Sequence, residues 1–162
     1  MKERKYLSKG WEHSVYLSNF NKQTVLKVPH LTTTLSLKTF FNGYKTIQKE
    51  LELSHELIKS TNIKIPKTRI IPIKKSYVIT QELIENDNSI NIADSLANHP
   101  QLLSHYDSKP SNFASQNGII YWLDPTKGPI GRLIEKTGFI DIKNYRRITI
   151  KIKKFKRAIR GN

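Results

Sequence analysis

The sequence predicts an α+β domain in which an antiparallel sheet and one helix precede a loop of polar residues. Three observations favour this class. β-Branched, strand-like segments dominate the first half of the chain, one amphipathic segment interrupts them, and neither an internal repeat nor a Gly/Ser-rich linker divides the 162 residues. A chain of this length can bury a real core. We therefore expect a single domain over residues 1–162.

The first third of the sequence predicts a hairpin followed by a helix. Ser14–Leu17 and Thr24–Val28 hold the β-branched and aromatic residues of strands, with turn-forming residues between them. The Thr- and Ser-rich residues 30–36 predict a loop. Residues 36–60 predict one amphipathic helix with Ser36 as its N-cap, because apolar residues recur three, four or seven positions apart. These apolar residues are Leu37, Phe40, Tyr44, Ile47, Leu51 and Ile58.

The middle of the sequence predicts two further strands and a short helix. Residues 63–73 are β-branched and predict a strand with bends at Pro66 and Pro72, and Ser76–Leu83 predicts a short apolar strand. Residues 92–103 predict a short helix. The remaining predicted elements are a loop over 104–112, two short strands around Phe113 and at Ile119–Leu123, and a basic tail after Gly128.

The charge of the chain bears most directly on its partners. Lys and Arg number 28 against 13 Asp and Glu, giving a net charge of +15. Such a charge attracts nucleic acid, acidic lipid, acidic protein surfaces or ATP, but it is also typical of a lysine-rich solvated surface, and the sequence leaves both open. The absence of cysteine excludes disulfides and thiolate metal sites. No apolar run could span a bilayer, so we expect a cytoplasmic protein without a transmembrane segment.

The segment His105–Asn112 carries the strongest indication of chemistry. It contains Asp-x-Lys-Pro-x-Asn, beginning at Asp107, and a second aspartate, Asp124, follows a dozen residues later after an apolar run. Phosphoryl transfer needs a carboxylate that receives the hydroxyl proton, a cation near the moving phosphoryl group, and amide and carboxylate oxygens that hold magnesium. The spacing of these residue types therefore predicts phosphoryl transfer.

This pattern resembles the catalytic loop and metal-binding segment of the protein-kinase-like superfamily, and the predicted elements follow the order of that fold. The resemblance covers about residues 7–128. It implies a minimal bilobal fold with an antiparallel N-lobe sheet and one helix over about 1–83, and the hinge, catalytic loop and metal segment over 84–128. A basic C-terminal segment follows over 129–162. Fewer than forty residues follow Asp124, so we expect a strongly reduced C-lobe.

The resemblance also implies a role for each matching residue of the loop. Asp107 would be the catalytic base, and Lys109 would contact the transferred phosphate. Asn112 and Asp124 would hold Mg²⁺, and His105 would brace the loop. ATP and Mg²⁺ are thus the implied cofactors.

In the N-lobe, the resemblance implies a nucleotide-binding role for four residues. Gly10 and Val15 match the loop that covers the nucleotide, and Lys27, in Val25-Leu26-Lys27, matches the lysine that pairs with the α- and β-phosphates. Glu50 would be the helical acid that pairs with this lysine, because it borders the apolar stripe, whereas two later glutamates of the helix are expected to face water.

The hinge and three departures complete the resemblance. The adenine edge would bond backbone groups near Glu82 and Leu83. The glycine-rich loop keeps a single glycine of its usual pattern, Tyr106 replaces the arginine usual in regulated protein kinases, and Asp124-Pro125-Thr126 replaces Asp-Phe-Gly. These departures resemble an atypical, bacterial or mobile-element branch of the superfamily.

The C-terminal tail is the most basic part of the chain. Residues 143–160 contain nine Lys or Arg residues and no acid, interleaved with apolar residues. Both helical and strand-like spacings occur, and the longer pattern favours a helix over 145–160. Such a helix could dock on its own domain or contact an anionic partner, either a membrane surface or nucleic acid.

The sequence thus predicts an ATP-dependent phosphotransferase that transfers the γ-phosphate to a hydroxyl of a protein Ser/Thr or of a small molecule. Two alternatives remain open. One is a pseudokinase or nucleotide-sensing module, which the reduced C-lobe and the degenerate glycine loop favour. The other is a basic nucleic-acid-binding protein in which the motif is a coincidence.

Overall fold

The structure is a computed structural model that describes residues 5–10, 12–40, 42–74, 76–99 and 109–126, together with Leu102 and Arg132. The chain divides into two compact units, Met1–Pro129 and Ile130–Asn162. Every described residue except Arg132 belongs to the first unit. Residues 104–108 of the loop predicted over 104–112, and the basic tail at 143–160, therefore lie outside the described residues.

The first unit contains eight strands, three helices and a short 3-10 helix among its described residues. In chain order these are β1 (Tyr6–Lys9), β2 (His13–Leu17), β3 (Thr24–Pro29), α1 (Leu31–Phe40), α2 (Tyr44–Ile58), β4 (Ile63–Lys64), β5 (Thr68–Ile73), β6 (Ser76–Glu82), α3 (Ile92–Ala97), the 3-10 helix Pro110–Asn112, β7 (Phe113–Gln116) and β8 (Ile119–Trp122).

The strands form two sheets of different kinds. The upper sheet has five antiparallel strands in the order β1-β2-β3-β6-β5. The lower sheet has three strands in the order β4-β8-β7, in which β7 and β8 form an antiparallel hairpin and β4 pairs with β8 in parallel. The α+β class and the antiparallel N-terminal sheet are therefore confirmed, whereas the parallel pairing of β4 was not predicted.

The single helix expected over 36–60 is in fact two helices, and the loop expected over 30–36 is wrong. Helix α1 begins at Leu31, so Ser36 lies inside it and is not an N-cap. Gly43 separates the helices with φ +58° and ψ −139°, a conformation that favours glycine. Threonine-rich sequence is a poor helix former, but α1 is held by tertiary contacts: Leu37 is buried, and Thr33 Oγ1 donates to the Glu12 carbonyl at 3.2 Å.

The two prolines of the predicted strand at 63–73 have different effects. Pro66 does interrupt the strand, because β4 joins the lower sheet and β5 joins the upper one. The bend expected at Pro72 is wrong, since Pro72 lies within β5 and faces Tyr77 of β6. Strand β5 is at the edge of its sheet, where proline is tolerated because one side of the strand needs no ladder donors.

Each sheet has its own hydrophobic core. The upper core consists of Leu37, Ile47, Tyr77 and Ile79, so α1 and α2 pack on the face of β6. The lower core is larger and joins the end of α2 to α3 and the hairpin. Burial of a side chain such as Ile47 contributes about 2 kcal/mol. The lower core contains Ile58, Ile63, Leu96, Leu102, Phe113, Ile120 and Trp122.

The linker after β6 is fastened to the β7–β8 hairpin by polar contacts. Asn86 Oδ1 accepts from the Ser115 amide at 2.9 Å, and Asp87 carboxylate oxygens accept from Ser115 Oγ at 3.1 Å and from the Asn117 amide at 2.7 Å. The Asp87 amide in turn donates to the Ser115 carbonyl at 2.9 Å. The linker therefore fixes the position of the hairpin relative to β6, the strand that precedes the linker.

Candidate functional site

A cleft of about 340 Å³ lies between the upper sheet and the open end of the β7–β8 hairpin. The upper sheet contributes residues from β1, β2 and β3, the strand-to-linker segment contributes residues 81–84, and the hairpin contributes the residues that flank it. Segments separated by more than eighty residues of sequence thus meet around one space. The sequence-predicted residues in its wall are Gly10, Val15, Lys27, Glu82, Leu83, Asn112 and Asp124.

The hairpin brings the two predicted metal ligands together. Asn112 immediately precedes β7 and Asp124 follows β8 by two residues, and Phe113 pairs with Trp122 at the open end. The Leu123 amide extends the ladder by donating to the Asn112 carbonyl at 2.8 Å. An antiparallel pair with a two-residue turn necessarily places its ends side by side. The Asn117-Gly118 turn, with positive φ at both residues, closes the other end.

Lys27 connects the upper sheet to the residues after the hairpin. It lies in the middle of β3, on the buried face that it shares with Val25, and is only 8% exposed. Its ammonium donates a hydrogen bond to the Leu123 carbonyl and lies 3.6 Å from Asp124 Oδ1. A buried lysine needs such compensation, since an uncompensated buried charge is costly. Lys27 and Asp124 therefore form an ion pair across the cleft.

Glu50 lies on the inward face of α2, as its place beside the apolar stripe predicts. It is 6% exposed and belongs to the buried set Ile47, Glu50, Ser54 and Ile58, whereas Glu52 and Glu56 are exposed. One turn along the same face, Ser54 Oγ lies 2.7 Å from the Pro125 carbonyl. The buried face of α2 therefore lies against the segment that follows Asp124.

Gly10, in the turn between β1 and β2, and Val15, in β2, line the cleft. The Gly10 amide donates to the His13 carbonyl at 2.8 Å, which closes the turn between the two strands. A Cβ at Gly10 would lie 3.5 Å from that carbonyl oxygen, an ordinary contact, so the turn does not demand glycine. Val15 pairs with Lys27 in the β2–β3 ladder and lines the cleft beside it.

Glu82 and Leu83 line the cleft, but their amides already have acceptors within the protein. The Glu82 amide donates to the Lys67 carbonyl at 2.9 Å, and the Leu83 amide donates to the Gln23 carbonyl at 2.7 Å. A ligand could therefore use the carbonyl groups of this segment but not these two donors. Ile84 is the next residue in the wall and supplies the next amide along the chain.

The loop before the hairpin is described only in part. Lys109 is exposed and is the N-cap of the 3-10 helix, whose first turn closes when the Asn112 amide donates to the Lys109 carbonyl at 2.8 Å. Pro110 is the first residue of this helix. Pro110 suits this position because its fixed φ is compatible with a helical start. His105 and Asp107 lie outside the described residues, so the predicted base remains a prediction.

The donor set at the end of the hairpin fits a magnesium ion. Mg²⁺ takes oxygen ligands and is usually held by one or two carboxylates, with water and phosphate oxygens in the remaining positions. The Asp124 carboxylate and the Asn112 amide oxygen are of this kind and line one wall. Within the described ranges, no group of three or more His, Cys, Asp or Glu side chains could hold a metal ion. The fit therefore depends on phosphate oxygens supplied by a ligand.

The sequence reasoning missed several residues of the site. Ser111 and Gln81 line the cleft, and Glu12 and His13 are buried in its wall. Ser54 had a detectable signal, because it falls where the apolar stripe of α2 should hold a large residue between Ile47 and Ile58. A polar residue at a buried helical position indicates a specific hydrogen bond.

Asp87 is an ionisable group whose pKa the fold shifts strongly. The Ser89 hydroxyl and amide, followed by the Asn117 amide, donate to its carboxylate and hold its pKa well below the usual range. These donors favour the charged form. Asp87 is an anchor of the linker rather than a residue of the cleft.

Comparison of the sequence with protein-family models finds no match, and comparison with curated proteins finds none either. The interpretation of the cleft therefore rests on the residues themselves. No helix in the described part of the chain combines the length and the apolar character that a membrane crossing requires.

Proposed function

We propose that this chain is a minimal, atypical kinase-like phosphotransferase with a bilobal architecture, which binds ATP and Mg²⁺ in the cleft and transfers the γ-phosphate to a hydroxyl acceptor. The observation that carries the proposal is the convergence of Lys27, Asn112 and Asp124 on one cleft from segments far apart in sequence. A cation, an amide oxygen and a carboxylate are the groups that phosphoryl transfer requires beside a triphosphate.

Each residue of the cleft has a distinct task in this proposal. Lys27 orients the α- and β-phosphates, and its ammonium lies 3.6 Å from the Asp124 carboxylate. Asn112 and Asp124 would hold Mg²⁺, which supplies neutralisation of the phosphate charge when it is bound. Lys109 would balance the charge of the moving phosphoryl group. The adenine edge would lie against residues 82–84.

The reaction requires one base and little other chemistry from the protein. The acceptor oxygen forms a bond to the γ-phosphorus as the bond from that phosphorus to the β-bridging oxygen breaks, and ADP leaves with the bonding electrons. The acceptor proton passes to the Asp107 carboxylate. Positioning and charge neutralisation then supply most of the rate, as in other phosphoryl transfers.

Transfer of labelled γ-phosphate from ATP to a generic hydroxyl acceptor, in the presence of Mg²⁺, tests the proposal. Asp107→Asn should lower the rate by about a hundredfold or more, because a positioned base contributes this much. Asp94→Asn, at an exposed position of α3, is the matched control and should keep the wild-type rate.

An equal rate for Asp107→Asn and wild type would remove Asp107 from the mechanism. Magnesium-dependent nucleotide binding without any transfer would indicate a nucleotide-sensing module instead. Binding to DNA that weakens steeply with salt and is indifferent to nucleotide would indicate the charge-driven alternative.

A further inference from the structure

Ser54 is a fully buried polar residue on the inward face of α2, which lies against the segment that follows Asp124. Its exposed fraction is zero, and its neighbours on this face are Ile47, Glu50 and Ile58. Its hydroxyl lies 2.9 Å from the Glu50 carbonyl, one turn back, and 2.7 Å from the Pro125 carbonyl, 71 residues later in the chain. The first contact is local to the helix, whereas the second joins two separate elements.

The Pro125 contact gives a buried backbone carbonyl a donor from another element. Pro125 is buried and has no N–H, so its carbonyl is its only backbone polar group. A buried carbonyl is normally paired, because leaving it unpaired is costly. The hydroxyl of Ser54 supplies this pairing from α2, and Thr126, the next residue, is buried as well.

The carbonyl groups of the two residues on either side of Asp124 are therefore held from two elements. Lys27 of β3 donates to the Leu123 carbonyl on one side, and Ser54 of α2 donates to the Pro125 carbonyl on the other. Asp124 itself is partly exposed, with its carboxylate facing the cleft. A carboxylate on a segment fixed at both sides has a narrow range of positions, which is what a metal ligand requires.

We propose that Ser54 is a positioning residue, which fixes Asp124 for Mg²⁺ by bonding the Pro125 carbonyl and so makes the metal site depend on the position of α2. This inference rests on the proposed function, because it assumes that Asp124 is a magnesium ligand. Any movement of α2 along its axis would shift the Ser54 hydroxyl and thereby the carboxylate.

Hydrogen exchange tests the mechanical part of the proposal without any ligand. Ser54→Ala removes the hydroxyl and should raise the exchange rate of the Asp124 and Thr126 amides about tenfold relative to wild type, measured at equal intervals below each melting temperature. Ser115→Ala is the matched control: Ser115 is equally buried and loses its contacts to Asn86 and Asp87, but it does not touch this segment. Unchanged exchange of the Asp124 and Thr126 amides in Ser54→Ala would contradict the positioning role of Ser54.

A magnesium titration tests the consequence for the site. The affinity for a non-hydrolysable ATP analogue is measured by calorimetry with and without Mg²⁺, in wild type, Ser54→Ala and Ser115→Ala. Ser54→Ala should raise the Mg²⁺ concentration for half-maximal effect about tenfold while leaving the magnesium-free affinity unchanged. Ser115→Ala should leave the magnesium midpoint at its wild-type value.

The possible failures are distinguishable. If the wild type shows no magnesium effect on nucleotide binding, the proposed function fails, and the magnesium part of this inference fails with it. The exchange comparison still decides whether Ser54 holds the segment around Asp124. If the wild type responds to magnesium but Ser54→Ala has the same midpoint, Ser54 is not a positioning residue. A parallel loss of both affinities would also contradict the inference, because it would indicate a general effect on the fold.

Discussion

Lys27 belongs to the predicted site and is also buried in the structure. A lysine is rarely buried unless a partner compensates its charge, and Lys27 has both the Leu123 carbonyl and the Asp124 carboxylate within reach. On the hairpin strand alone, a surface lysine would be the ordinary interpretation. Its burial instead indicates that the side chain belongs to the interior of the cleft.

Replacement of Lys27 tests this interpretation directly. Lys27→Met removes the charge but keeps much of the stem, and it should weaken binding of an ATP analogue by about tenfold to a hundredfold, the usual value of a charge-assisted hydrogen bond. Lys22→Met, on the exposed β2–β3 turn, is the control and should bind normally. Calorimetry measures both, and equal affinities for the two variants would contradict the assignment.

Asp87 provides a prediction for the pH dependence of stability. Its pKa is lowered in the fold by the Ser89 hydroxyl and by the Ser89 and Asn117 amides. The charged form is therefore favoured by folding, so the contribution of Asp87 is complete above the unfolded pKa and is lost as pH falls through the lowered folded pKa. The melting temperature of wild type should exceed that of Asp87→Asn by a margin that is constant near pH 7 and shrinks below about pH 4.

A charge variant in the same linker is the control for Asp87. Glu85→Gln removes one negative charge from an exposed residue, and it should lower the melting temperature at pH 7 by less than Asp87→Asn does. A margin between wild type and Asp87→Asn that stays constant down to pH 3 would show that the carboxylate does not anchor the linker through its charge.

The sequence predicted the polar side chains that line the cleft better than the residues that hold them in place. Lys27, Asn112 and Asp124 line the cleft with polar side chains, so residue type and spacing could indicate them. Ser54 acts through a backbone carbonyl 71 residues away, and the occupied amides of Glu82 and Leu83 leave no trace in side-chain identity. Contacts to backbone are the part of a site that residue types reveal least.

At the scale of elements, the break between α1 and α2 is the clearest departure from the predicted fold. The periodic apolar residues continue through residues 36–60, so periodicity alone favours one helix. The backbone of Gly43 interrupts it, and Leu37 of α1 and Ile47 of α2 share one core with Tyr77 and Ile79 of β6. The pattern located the buried residues Leu37, Ile47 and Ile58 but could not show the break at Gly43.

A pair of glycine substitutions tests the backbone argument. Gly43→Ala should lower the free energy of unfolding by about 1–2 kcal/mol, because φ +58° is strained for any residue with a Cβ. Gly10→Ala should change it by less than about 0.5 kcal/mol, since Gly10 has an ordinary φ and space for a Cβ. Denaturant unfolding measures both, and equal losses would contradict the distinction.

The hairpin β7–β8 shows where local sequence did determine an element. Asn117-Gly118 is a strong signal for a two-residue turn, and both residues have the positive φ that such a turn requires. The parallel pairing of β4 with β8 was beyond prediction, because a two-residue strand has no periodicity and its partner lies more than fifty residues away. Short non-local strands are selected by the core around them.

At the scale of the whole molecule, the proposed function has to be separated from the effect of net charge. A chain of charge +15 will bind many anions, and ATP is one of them. Non-specific binding of this kind falls steeply with salt and does not require a divalent ion. A nucleotide site built on Asn112 and Asp124 requires magnesium instead. The protein alone supplies too few ligands for the ion, and its acidic side chains would repel a triphosphate that carries no metal.

The decisive measurement is the affinity for a non-hydrolysable ATP analogue with and without Mg²⁺, at an ionic strength high enough to suppress non-specific binding, for wild type and Asp124→Ala. The account predicts that Mg²⁺ tightens binding to the wild type by about tenfold or more and that Asp124→Ala abolishes this gain. An affinity that is indifferent to Mg²⁺, or a gain that survives in Asp124→Ala, would contradict it.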